Sequence, residues 1–245
     1  MEIRRNKKKI AALVAALVLI ASMVGGYFIV QRILSDAEQG ELFEQQLGDL
    51  NISTRAISEK ERDEYTVSPD RPRYLYIPAA GVNKARIIAL GVKSPGQNGQ
   101  QQLDVPKNIN DAGWYDCGIN PLADKRCAQP TLPDGGDTDT AMILTGHTCF
   151  SRTMRCVFDN ISKLKRGDRI TIERGDGEKF DYTVRKVEVI PLADVDMNKA
   201  IQPIELDKEG LTLITCAGKY RGTTDANGVQ TADKRVLVYA VRSES

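Results

Sequence analysis

The chain has 245 residues, 41% of them hydrophobic and 27% charged, with a formal net charge of +1; this suits one folded domain of ordinary size with extensions. Five of the 34 Lys and Arg residues fall in the first ten positions beside a single Glu, leaving 29 basic against 32 acidic side chains in the other 235 residues. A mildly acidic body excludes general nucleic-acid binding, which needs a basic surface to neutralise phosphates.

The first element is a basic tail, residues 1–9, followed by 21 uncharged residues from Ile10 to Val30. At 1.5 Å per residue this run spans about 30 Å, the hydrocarbon thickness of a bilayer. Arg4, Arg5, Lys7, Lys8 and Lys9 ahead of it predict a cytoplasmic N-terminus. A cleaved signal peptide has an apolar core of about 7–15 residues and ends at a small-x-small site. This run is longer and ends in Tyr27, Phe28, Ile29 and Val30. The sequence thus predicts an uncleaved single-pass anchor at 10–30 and a body outside the cytoplasmic membrane. Residues 31–72 read as a polar stalk. Within it, Ile33, Leu34, Leu42, Phe43, Leu47 and Leu50 suit a loose amphipathic helix over Gln31 to Leu50, and Asn51 to Pro72 reads as a solvated spacer.

From Arg73 onward short runs rich in Val, Ile, Thr and Tyr alternate with Gly, Pro, Asn and Asp. They predict strands at 73–78, 85–90, 140–146, 168–174, 179–190, 211–216 and 235–241. Residues 167–190 carry every local sign of a hairpin, and Val157 to Lys165 reads as a short helix. Seven or more short strands in this length predict a mainly all-β domain over 73–245, a barrel or a sandwich.

An extracytoplasmic body permits disulfides. Of Cys117, Cys127, Cys149, Cys156 and Cys216, the spacing suggests two local staples, 117 with 127 and 149 with 156, with Cys216 left over. Other pairings stay open. Cys117, Cys127, His147, Cys149 and Cys156 also make a zinc set, but without the close C-x₂₋₄-C spacing of most structural zinc sites; no metal is expected.

The chemistry-bearing residues end two of the strand-like runs. TAMILTGH ends on His147, the single histidine, and LTLITC ends on Cys216. A cysteine attacks as its thiolate, and a histidine in reach takes the proton and returns it to a leaving amine. Adjacent strands running the same way would bring these two ends to one rim. Stabilising the oxyanion needs a cationic or N–H donor, for which Arg221 and Arg235 are both placed; the pattern alone does not choose. Thr215 is read as orienting the site or as a plain strand residue. Ala217 and Gly218 are read as leaving room for a substrate backbone or as a simple turn.

These stretches resemble the sortases, cysteine transpeptidases of the bacterial surface. TLITC (212–216) fits the family's T-L-x-T-C motif, LTGHT (144–148) its strand-end T-G-H, and RVLVYA (235–240) its strand that begins with arginine. Softer matches are YIPAAGVNKARI (76–87), LDVPKNINDAGWY (103–115) and FDNISKLKRGD (158–168). The resemblance covers residues 73–242 and is nearest to the one-domain classes. It implies a closed β-barrel of seven or eight strands with short helices, and the roles of nucleophile for Cys216, acid and base for His147, and oxyanion ligand for Arg235 rather than Arg221. It implies cleavage of a C-terminal sorting signal similar to LPXTG between Thr and Gly. The acyl group would pass to an amine of a peptidoglycan precursor or a pilin lysine. The stretch 191–210 would shape the signal groove, where Asp194, Asp196, Glu205 and Asp207 could bind calcium, as in some sortases, or be solvated loop charges. The long insert 116–139 is expected to act as a lid. Rival readings are a cysteine hydrolase on the same scaffold, a non-catalytic surface domain stapled by disulfides that include Cys216, and a zinc-stabilised module.

Overall fold

Period-two alternation places every second strand residue on one face, and in this chain the buried set closes on itself. The computed structural model describes residues 2–93, 102–116, 140–151, 153–220 and 231–243, with side chains from Val24 to Gly91 and from Asp104 onward in the first two segments. Its strands are β1 (Pro72–Ile77), β2 (Val82–Leu90), β3 (Val92–Lys93), β4 (Gln102–Leu103), β5 (Ala112–Tyr115), β6 (Ala141–Gly146), β7 (Arg169–Arg174), β8 (Lys179–Pro191), β9 (Gly210–Ala217) and β10 (Lys234–Arg242). Eight of them form a closed barrel in the order β1-β2-β5-β6-β9-β10-β8-β7, and β3 and β4 pair separately. All barrel pairings are antiparallel except β2 with β5 and β6 with β9. Full closure leaves no barrel edge for another chain to extend.

The barrel is filled by Leu75, Ile77, Ile87, Trp114, Met142, Leu144, Ile170, Ile172, Leu211, Leu213, Val236 and Val238, with Phe158 and Ile161 plugging one end. Each expected strand is present. The added β5 is short, and its AGWY lacks the alternation that would mark it in the sequence. Asp111, just ahead of it, is 3% exposed. It accepts two hydrogen bonds from the Arg86 guanidinium of β2, at 2.9 and 2.8 Å, which locks β2 and β5 in parallel register.

Two expectations change. The helix expected over 157–165 is reduced to a 3-10 turn at Ile161–Lys163. The backbone N–H groups of Val157 and Phe158 donate to the carbonyls of Ile109 and His147, so they are committed to distant partners. The stretch 31–72 is not a free stalk. A single helix, α1 (Glu2–Asp49), contains both the apolar run and the amphipathic stretch, and its last turns pack on the barrel, with Phe43 and Leu47 buried. The chain then runs beside Lys107–Ile109, pairing at Ser53 with Asn108. Next comes the short α2 (Glu59–Asp63), capped reciprocally by Ser58 and Glu61. A solvated strap has no reason to bury Ile52 and Ile57 as this one does.

Among the described residues no helix is long and apolar enough to cross a membrane. Most of the apolar run, up to Met23, lies outside the residues whose side chains are described.

Removing one partner of a buried, bidentate ion pair leaves an uncompensated charge and costs about 3–5 kcal/mol. Asp111→Ala should therefore lower the free energy of urea unfolding by an amount in that range, with Arg86→Ala similar. A loss confined to a few tenths would show that the pair does not hold β5.

Candidate active site

The parallel pair β6–β9 matches Thr145 with Ile214. Two residues farther along each strand stand His147 and Cys216, so strand direction alone delivers both to one rim. On the other side of β9, Cys216 lies directly opposite Arg235 of β10. Directly opposed residues project from the same face of a sheet with Cβ atoms about 5 Å apart. Leu211 and Leu213 fill the barrel, so period two turns Cys216 to its outer side, as it does Arg235 beside the inward Val236 and Val238.

Cys216 is a free, half-buried thiol. Its Sγ lies 4.0 Å from Thr231 Oγ1, and the Arg235 guanidinium donates to the same hydroxyl at 3.0 Å. Thr231 thus links thiol and guanidinium. Arg235 also donates to the carbonyls of Ala232 and Lys234, each at 2.9 Å, which fixes its planar group beside β9. The His147 ring bonds through Nε2 to the Pro106 carbonyl at 2.9 Å, an acceptor that makes Nε2 the protonated nitrogen and leaves Nδ1 as the basic one. Cys216 and His147 share the rim but no hydrogen bond joins them here. Burial holds the imidazole pKa below its ordinary value, with nearby Lys107 pushing the same way and the Pro106 carbonyl opposing. At neutral pH it is therefore uncharged and able to accept a proton.

Thr215 is buried and ties the two strands together. Its hydroxyl donates to the Gly146 carbonyl at 2.7 Å and meets the Thr148 hydroxyl at 2.7 Å, bracketing His147. It thereby holds the histidine stretch against β9. Gly146 lies against the Phe158 ring, where an added Cβ would approach to 2.6 Å. Gly218 has a φ of +85°, and a Cβ there would meet the Asp233 carboxylate, which accepts the Lys219 N–H. Ala217 packs half-buried against the barrel core.

Cys149 and Cys156 form a disulfide. This is one of the two staples expected, and it removes both sulfurs from a zinc set. Asp159 accepts the N–H groups of both cysteines, at 2.7 and 3.0 Å, and burial raises its pKa. These three are the one group among the described residues whose donor atoms could gather on a metal; with both sulfurs bonded to each other, thiolate ligation is closed. The other expected pair, Cys117 and Cys127, lies outside the described residues, as do Arg221 and the insert from 117 to 139. Of the acidic loop residues, Asp196 caps a one-turn helix, α3 (Met197–Ala200), and Glu205 pairs with Arg185 at 2.7 Å.

Sequence reasoning missed what covers the thiol. Phe43 of α1, Phe150 of the disulfide loop and Tyr220 after β9 form an aromatic trio with centroids 5.2–5.7 Å apart. Cys216 packs against the cluster they belong to. The side-chain carbonyl of Gln39 accepts the Tyr220 N–H at 3.1 Å, and Ser151 donates to Glu44. The spacing of Phe43, Leu47 and Leu50 was the available signal, an apolar stripe with no partner in its own helix.

A family described as Sortase domain matches residues 75–243. No curated protein matches the chain. Similar solved structures include a lid-mutant of Streptococcus agalactiae Sortase C1 (20% identity, 86% of this chain and 90% of that one, TM-score 0.44). Sortase C-1 from Streptococcus pneumoniae is similar at 19% identity, 85% and 90% coverage and a TM-score of 0.45. A Clostridium perfringens Sortase D5 transpeptidase matches at 21%, 86%, 99% and 0.42. With TM-scores this low, the family match is what carries the assignment.

Two outcomes follow from the geometry. Phe43→Ala should weaken folding by about 3 kcal/mol, as for other buried aromatics, and speed alkylation of Cys216 by iodoacetamide; an unchanged alkylation rate would mean that α1 does not shield the thiol. A histidine with a depressed folded pKa binds its proton better unfolded, so its stabilising effect is whole above about pH 6.5 and is lost as pH falls toward the folded value. The melting temperature should drop through that window, and His147→Gln should flatten the drop.

Proposed function

Because the chain belongs to the sortase family, we propose that it is a cysteine transpeptidase in which Cys216, His147 and Arg235 carry the reaction. The observation that supports this best is the pairing of β9 with β6 on one side and β10 on the other, which gathers the three at one rim. The substrate is a secreted protein with a C-terminal signal similar to LPXTG. The Cys216 sulfur attacks the Thr carbonyl carbon as its proton passes to His147. Arg235, its guanidinium already oriented by backbone carbonyls, and backbone N–H groups stabilise the oxyanion. The Thr–Gly bond breaks, the glycine nitrogen takes the proton from His147, and a thioester remains. An acceptor amine then attacks the thioester carbon, its proton goes to His147, and the carbon–sulfur bond breaks to return the thiol. The acceptor is an amine of a peptidoglycan precursor or a pilin lysine.

Residues 10–30 anchor the chain in the membrane with its basic tail in the cytoplasm, so the barrel works at the outer surface. A hydrolase on the same scaffold would form the same thioester but pass it only to water. The rival in which Cys216 is tied up in a disulfide is not supported, since the thiol is free.

The test uses the full chain in detergent, an LPXTG-type peptide, and triglycine or hydroxylamine, with products read by mass spectrometry. An adduct after Thr is expected, lost with Cys216→Ala and His147→Ala and reduced roughly 10²–10³-fold with Arg235→Ala. Thr-terminated product without adduct would favour the hydrolase, and full activity in the Cys216 variant would end the proposal.

A further inference from the structure

The loop after His147 also borders a cavity. Arg155, Asp159 and Asn160, with Cys156 and Val157 between them, meet Arg62, Asn83 and Asn110 around a space of about 300 Å³, the lower end of the range for small-molecule sites. The hydrogen-bonding capacity of this lining is lopsided. Asp159, its one carboxylate, has an oxygen on each of the two cysteine N–H groups. The amide oxygen of Asn160 accepts from Lys163 at 2.8 Å. The Arg62 guanidinium makes no hydrogen bond or ion pair among the described residues, and Arg155 donates only to the Met154 carbonyl at 2.9 Å. Most donors of the two guanidinium groups are therefore unused. Asp159 keeps its charge and faces Arg155 electrostatically, so two guanidinium groups against one carboxylate leave the hollow cationic, and an oxyanion matches it through paired, charge-assisted hydrogen bonds.

Its position connects it to the catalytic rim. Between the lining residues Val157 and Asp159, the Phe158 N–H donates to the His147 carbonyl at 3.0 Å. The histidine and the cavity thus flank the two ends of the short loop that the Cys149–Cys156 disulfide closes. Resting on the transpeptidase reading above, we propose that this cavity is a subsite for an amine acceptor of the peptidoglycan-precursor kind, not for a pilin lysine, and binds an oxyanion, carboxylate or phosphate, carried by the same small molecule as the attacking nitrogen. Occupancy holds the amine on the histidine side of the rim, where a proton acceptor waits, and leaves acylation by the sorting signal untouched.

The test compares the full chain in detergent with an Arg62→Gln/Arg155→Gln double variant. The acceptors are triglycine, which has a carboxylate, 2-aminoethyl phosphate, which has a phosphate, and triglycinamide, which has neither. The double variant should raise the acceptor KM about tenfold for the anionic amines, the effect of losing charge-assisted hydrogen bonds. The KM for triglycinamide and the acylation rate should not move, and Arg62→Lys/Arg155→Lys should recover part of the loss. An effect limited to one anion identifies the source. Equal losses with all three acceptors, or none with any, would overturn the subsite. Calorimetric titration with inorganic phosphate and with triglycine needs no turnover: binding that disappears in the double variant supports the subsite, and no binding to the wild-type chain refutes it. If the wild-type chain forms no thioester, the transpeptidase reading fails while the titration still decides the cavity.

Discussion

The rest of this site depends on β6 and β9 lying side by side and running the same way. Parallel neighbours cannot be joined by a tight turn and need a long crossover. Here the crossover contains the disulfide loop, β7, β8 and the stretch that leads into β9. In return the carboxyl ends of both strands arrive at the same rim, and the side chains just beyond them stand level. Thr215 makes the alignment specific, bonding across to Gly146 and Thr148 on either side of His147. With β10 antiparallel on the far side of β9, an arginine at the start of that strand must stand opposite a cysteine at the end of its neighbour.

Around this frame the side chains divide by face. The inward set makes the barrel core, and the outward set at the ends of β9 and β10 would meet water if nothing covered it. Two elements about a hundred residues apart in the sequence supply the cover. The final turns of α1 bring Phe43 and Leu47, and the disulfide loop brings Phe150 and Met154. The cover keeps the thiol half-buried. The Asp159 carboxylate sustains it by gathering the N–H groups of both bridged cysteines, a local network in which each buried polar group has its partner. Just beyond the ring, Phe158 packs on Gly146 and donates to the His147 carbonyl, so the stretch around this disulfide supports His147 from behind and covers Cys216.

The electrostatics of the rim are set by desolvation more than by paired charges. The imidazole bonds to a backbone carbonyl and not to a carboxylate, so burial dominates and favours its neutral form. Arg235 is oriented by carbonyl oxygens and a hydroxyl, which leaves its charge uncompensated toward the thiol side. The rim thus brings a neutral imidazole, a guanidinium and a free thiol together.

What the sequence determined by itself was local. Seven barrel strands were readable because period-two alternation and Gly, Asn and Asp turns act within a few residues. Cys216 and His147 stood out because each ends such a run, while the pattern left Arg221 and Arg235 level and only the resemblance to sortases chose Arg235. The Cys149–Cys156 staple was legible from its short spacing. Only the tertiary structure decided what depends on partners far away in the chain. The short β5 holds through the Arg86–Asp111 pair and has no pattern of its own. The helix expected over 157–165 yielded to long-range bonds from Val157 and Phe158. The stretch read as a stalk became the roof of the site, because an apolar stripe on a helix states that it will be buried but not against what. The hydrophobic effect has no direction, and the surface that receives Phe43 exists only once β6, β9 and the loop after His147 have come together.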